Sequence, residues 1–227
     1  TADSQTKPTM NDTTPDAAET NWRIDFPPID PIRIRDPVAE ALTVLEPGEP
    51  FVITYADVVK AAGHSCPTAS GGFRIAQLGL DALYPDETPV RSEIEVTAGG
   101  PKDDPAYGVL SRIVSYVTGA AEADGFGGLA GGYGGRQDLL HFEEFEDFEG
   151  AGPTVEFSRT DTGAVVRVTY HVGDVPPLGP AGQSLQQLID GTVTPAERAA
   201  FADAWHGRVE RVLTDDALFT VEGPESQ

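Results

Sequence analysis

The stretch GHSCPTASGGFRIAQLGLDAL, residues 63–83, sets the architecture of this chain. Pro67 restricts Cys66 to an extended backbone and is itself suited to the first position of a helix, so the spacing predicts a helix start with Cys66 at its N-cap. Phe73, Ile75, Ala76, Leu78, Leu80 and Leu83 then make most of an apolar face, and the helix runs to about Leu83. An alternating strand over Val90–Thr97 comes next, and a helix from about Pro105 to Gly119 carries Val109, Leu110, Ile113, Val114 and Val117.

Reading outward adds further elements. Asp36 caps a helix that has Pro37 at its first position, and a strand follows at Phe51–Thr54. Thr54-Tyr-Ala-Asp57 resembles a capping box that opens a brief helix stopping at Gly63. On the other side a strand covers Leu139–Phe142, and Thr154–Arg159 and Ala164–His171 flank the hairpin signal Thr160-Asp-Thr-Gly163. Two helices close the chain, one near Ala181–Asp190 and one from the box Thr194-Pro-Ala-Glu197 to about Leu213. Strands and helices mix without a βαβ rhythm, which gives an α+β class: a mixed sheet with packed helices. The expected organisation is a polar, aperiodic tail at 1–20, an extended proline-rich arm at 21–35, one domain over 36–215 with a helical C-terminal extension, and a tail at 216–227.

Composition narrows the function classes. The 227 residues hold 37 acidic against 15 basic side chains, a net charge of −22. Phosphate backbones and anionic lipid repel such a chain, and no apolar run approaches the roughly 20 residues of a membrane span. Neither a nucleic-acid nor a membrane partner is expected. One cysteine excludes intramolecular disulfides and multi-thiolate metal cages built from one chain. Only three basic residues are lysine (Lys7, Lys60, Lys102), and this acid-rich, lysine-poor balance suits a salt-adapted prokaryote, where high salt screens self-repulsion. A cytoplasmic location is expected, with export left open.

The chemistry concentrates at His64 and Cys66. Unpaired N–H groups at a helix start favour a thiolate, the form that attacks electrophiles and binds metals. His64, two residues earlier in an extended segment, projects to the same side. An imidazole beside a thiolate is half of a metal site or an acid–base pair around a nucleophile, so both residues stand as metal ligands and as catalytic groups.

The same stretch resembles the signature of the FmdE family, proteins related to one component of molybdenum formylmethanofuran dehydrogenase. The matching positions are Gly63, His64, Cys66, Pro67, Gly72, Phe73, Arg74, Leu78 and Leu83. Glu93-Ile-Glu95 is similar to the family's acidic strand, and the loop 131–139 is fainter, with Arg136 in the place of a lysine. The resemblance covers about residues 50–172. It implies an α+β core, frequently a homodimer, with zinc or another divalent transition metal near His64 and Cys66. The chain departs from the pattern at Ala62, where the family often has a first histidine, and near Gly99, where a second cysteine is common. The family's C-terminal zinc finger is absent.

His141 is the first choice for a third ligand, with Asp103 and Asp104 weaker because acids near a helix start commonly cap it. His171 and His206 read as structural. A site with two or three protein ligands leaves a position open to water, a small-molecule substrate or a larger metallocofactor, and the same Cys/His pairing suits haem iron. The loop Gly125–Arg136 follows a predicted helix, so its glycines do not read as a dinucleotide fingerprint. It is either a surface connection or a lid over His64 and Cys66, in which Gly134 and Arg136 would bind an anionic group. The strip 141–149 alternates phenylalanines with acids and reads as a solvated edge. Three functions stay open: a metalloenzyme, a carrier of a metal or metallocofactor, and an interaction protein with an inert cysteine.

Overall fold

The computed structural model describes residues 20–143, 145 and 152–223. The tail expected at 1–20, save its last residue, and most of the strip 141–149 lie outside the described residues. Each helix of chemical interest starts where side-chain chemistry provides an acceptor for its free N–H groups. Asp36 Oδ1 accepts from Val38 and Ala39 at the head of α1 (Pro37–Ala41), and Thr54 with Asp57 forms a complete capping box on α2 (Tyr55–Ala62). Gly63 ends α2 with φ near 75°, a left-handed turn that a residue without Cβ takes at low cost. Cys66 caps α3 (Pro67–Leu83), and Asp104 caps α4 (Pro105–Thr118). Two short strands, β1 (Ile32–Ile34) and β2 (Phe51–Ile53), pair antiparallel, so the arm contains a strand as well as extended chain.

The main sheet is mixed and has the order β4-β3-β5-β6-β7. β3 (Ile94–Ala98) runs parallel to β4 (Leu140–Phe142) and antiparallel to β5 (Thr154–Arg159), which forms the expected hairpin with β6 (Val165–Tyr170). The α+β class with packed helices is therefore present. The alternation of β3 decides its faces: Ile94, Val96 and Ala98 are buried toward the helices, whereas Glu95 and Thr97 look the other way. α3 lies at the centre of the helix layer and packs against α4, the long C-terminal helix α6 (Pro195–Thr214) and strands β5 and β6. Its close approach depends on Gly71 and Gly79, where a Cβ would stand 2.6 Å from the Tyr170 ring and 2.5 Å from the Phe157 ring.

Two expectations need correction. The C-terminal segment read as a tail from residue 216 forms a one-turn helix and then β7 (Phe219–Glu222), which pairs with β6. The buried Arg74 of α3 holds this segment by an ion pair with Asp216 and by its position over the Phe219 ring. The helix expected at Ala181–Asp190 is a 3-10 stretch that turns into a short α5 (Leu185–Ile189). No helix among the described residues is long and apolar enough to cross a membrane.

Candidate functional site at the start of helix α3

α3 and α4 both start at the end of the sheet where β3 and β6 finish: Gly71 abuts Tyr170, and Tyr107 abuts Gly100. They run side by side toward the opposite end, where Arg91 Nε donates to Val117 O and Arg159 stacks on Tyr84. This geometry places Cys66 at the first of these ends.

Cys66 has an extended backbone (φ −152°, ψ 166°), and its Sγ accepts from Ala69 N–H at 3.3 Å. The pre-proline restriction thus delivers the thiol to the helix start, half-buried and already engaged by one N–H. His64 is exposed in the turn before it. Its Nδ1–H donates to Ala62 O at 3.0 Å, which fixes the tautomer and leaves the Nε2 lone pair free when the ring is neutral.

Three further elements converge on this turn. Tyr55, on α2, shares a 2.9 Å hydrogen bond between its hydroxyl and Ser65 Oγ. Tyr170, the last residue of β6, donates from its hydroxyl to Pro67 O at 3.3 Å. Trp205 of α6 donates from its indole N–H to Ser65 O at 2.8 Å. Burial pushes the Tyr55 phenol up to about 12, the negative charge of a nearby Cys66 thiolate adds to the rise, and Ser65 and Ser70 partly offset it. Burial also raises Tyr170, with Arg208 opposing and Cys66 reinforcing. Both phenols therefore keep their protons at neutral pH. The N-terminal arm reaches this cluster through edge-on ring contacts from Trp22 to Phe26 and from Phe26 to Tyr55.

The structure does not bring the other expected site residues here. His141 pairs in register with Thr97, so its side chain projects from the sheet face opposite α3, and its Nε2 lies 2.7 Å from Glu95 Oε1. It cannot share a metal with a thiol on the helix side. Among the described residues no three His, Cys, Asp or Glu side chains group as a metal cage. Asp104 caps α4 with its carboxylate on Ala106 and Tyr107 N–H, as an acid at a helix start should. His171 Nε2 hydrogen-bonds Thr220 Oγ1 at 2.7 Å, tying β6 to β7.

Gly134 and Arg136 lie at the far end of the helix layer. Arg136 packs beside Gly119, past the end of α4, whereas Cys66 precedes α3. Gly72 faces Ile113 between them, so about twelve residues of helix rise, or about 18 Å, separate the two sites along the layer. Arg136 is also committed. With Arg91 it closes on the buried Asp36, in a pair of ion bonds that pins the glycine-rich loop to α1. The lid reading of that loop has no support in this arrangement.

Sequence reasoning missed Tyr55, Tyr170 and Trp205. Tyr170 neighbours a histidine already singled out, but nothing local says that these three residues meet beside residue 66. No protein-family model and no curated protein sequence matches this chain.

Proposed function

We propose that this chain is an FmdE-like metalloprotein in which His64 Nε2 and Cys66 Sγ hold zinc or a similar transition metal, with the remaining positions open to a small ligand or substrate. The observation that carries this reading is the hydrogen bond from His64 Nδ1 to Ala62 O. It orients the ring so that its free nitrogen is the one available to a ligand, two residues from a thiol at a helix start. The donor set fits a soft or borderline divalent ion and falls short of the four closed ligands of a structural zinc site.

A metal held there would supply a Lewis acid. The chain's own residues would set its surroundings. Ala69 N–H steadies the sulfur, and Tyr55 and Tyr170 stand by as protonated phenols whose hydroxyls are engaged on Ser65 and Pro67. The homodimer that the family resemblance implies belongs to the same proposal and is read by sedimentation.

Metal analysis of protein purified without added metal is the test, with His64→Ala and Cys66→Ala beside the wild type. The expected result is about one metal per chain in the wild type, and loss of most of it in both variants. Equal metal content in wild type and Cys66→Ala would overturn the proposal. A Soret band in the visible spectrum would assign haem in place of zinc. Stoichiometric release without turnover would mark the protein as a carrier and not an enzyme.

A further inference from the structure

Residues 22–27 of the N-terminal arm lie beside α6 as a strap held by packing alone. Trp22 meets Phe26 and Phe26 meets Tyr55 edge-on, with ring centroids 5.1 and 5.4 Å apart. Among the described residues no hydrogen bond or ion pair joins 22–27 to another element. The first such hold comes at Asp30, whose carbonyl accepts from Gln77 Nε2 at 2.7 Å. Strap and α6 reach Ser65 by separate routes. Phe26 leans on Tyr55, whose hydroxyl shares the 2.9 Å bond with Ser65 Oγ, and Trp205 of α6 donates to Ser65 O at 2.8 Å. Between strap and helix runs a groove of about 600 Å³, walled by Phe26 and Pro27 on one side and by His206 and the buried Val209 on the other.

His206 is the side chain in this groove that changes charge near neutral pH. Its Nδ1 is sealed from solvent and has no hydrogen-bond partner. A neutral ring accommodates this by carrying its proton on Nε2 and leaving Nδ1 bare. An imidazolium must place an N–H there with no acceptor, which is costly. The charged groups that line the groove with it are Arg23 and Asp25 on the strap and Asp203 and Glu210 on α6. All four residues are exposed, where water and salt screen them, and none pairs with the ring. Burial therefore goes unopposed and holds the His206 pKa below its ordinary value of 6.5.

We propose that protonation of His206 releases the strap from α6, which makes residues 22–27 a pH-sensitive cover on the side of the molecule that carries Ser65. The sign follows from the hydration of the ring once the strap has lifted. The open form takes the proton more readily, so closure is at full strength above the ordinary histidine range and weakens as pH falls from 6.5 toward the lower closed-state value. Release withdraws Phe26 from Tyr55 and with it one of the two supports of Ser65, the residue between His64 and Cys66. Any effect on ligand access rests on the reading of that turn as a metal site; the release itself does not.

Full-length protein, freed of metal with a chelator and carrying 5-fluorotryptophan at both tryptophans, tests this by fluorine NMR at one salt concentration. The Trp22 resonance is assigned by its loss in Trp22→Phe. Its shift between H2O and D2O grows with exposure of the ring. Between pH 7.5 and 5 that shift should rise about twofold in the wild type, with a midpoint below 6.5, because the side chain starts at 36% exposure. In His206→Gln it should stay constant. A Trp22 shift that is constant in the wild type, falls with acid, or rises equally in His206→Gln would overturn the proposal. Should that variant fail to fold by circular dichroism, the wild type decides. The chain holds four histidines, so His206 is assigned by elimination with His64→Gln, His141→Gln and His171→Gln. Its own titration must then share a midpoint with the Trp22 change, and separate midpoints would overturn the proposal. The metal is absent throughout, so failure here leaves the metal reading standing, and the reverse.

Discussion

Asp36 shows how a single side chain fixes both a helix and a loop. It is 3% exposed, caps α1 through Oδ1, and meets Arg91 and Arg136 through Oδ2. Burial alone would raise its pKa, but Arg136, the Ala39 N–H and Arg91 together outweigh burial and hold the carboxyl below its ordinary value of 3.8. The folded protein therefore gives up this proton more readily than the unfolded chain. The associated stability is complete above the ordinary aspartate range and is lost as pH falls toward the lower folded value. Asp36→Asn should cost about 3–5 kcal/mol, because two guanidinium groups are left without their anion. Urea unfolding at pH 7 checks the size. Repeating it on descending from pH 5 should show the wild type losing its advantage over the variant. An unaltered midpoint at pH 7 would remove Asp36 from the stabilising set. The sequence identified Asp36 as a cap, since capping is local, and could not pair it with Arg91 and Arg136, 55 and 100 residues away.

At the scale of elements, α3 was legible to within a residue because cap, proline and apolar period agree over a short window. β7 was not, because four residues, Phe219–Glu222, show no periodicity against a polar end. What makes β7 a strand is the free edge of β6 together with Arg74 and its hold on Asp216, none of which is visible locally. The 3-10 entry to α5 was missed for a similar reason, since Gly179 and Pro180 just before the expected helix and Gly182 within it disfavour an α-helical start. In α3 the glycines carry the packing. Replacing a helical glycine by alanine ordinarily stabilises by up to about 1 kcal/mol. Gly79→Ala should instead destabilise by about 1–3 kcal/mol, because its methyl would meet the Phe157 ring in the centre of the core. A thermal melt reads the sign, and a rise in midpoint would show that helix and sheet have room to separate.

The whole molecule shows why the site was only half legible. His64 and Cys66 are two residues apart, so their nearness at the start of α3 could be read from spacing. Tyr55, Tyr170 and Trp205 come from three other elements and needed the fold. His141, expected as the third ligand, is turned by the strand period to the opposite face of the sheet. Charge acts at this same scale. With −22 spread over 227 residues, self-repulsion opposes compaction in dilute buffer, and added salt relieves it. The melting temperature should rise steadily from low to multimolar sodium chloride. A flat response would show that the acidic surface does not govern stability.

The bond between Trp205 and Ser65 has a consequence for how the molecule can be watched. The chain holds two tryptophans. Trp22 stands on the arm at 36% exposure, whereas Trp205 is held to the backbone carbonyl next to the only thiol. Emission from that indole arises beside the sulfur, so adding zinc to the protein is expected to change its colour or lifetime if the ion binds at the turn, and an unaltered spectrum would count against binding there. The contact that joins α6 to α3 thus also sets a built-in optical reporter next to residue 66.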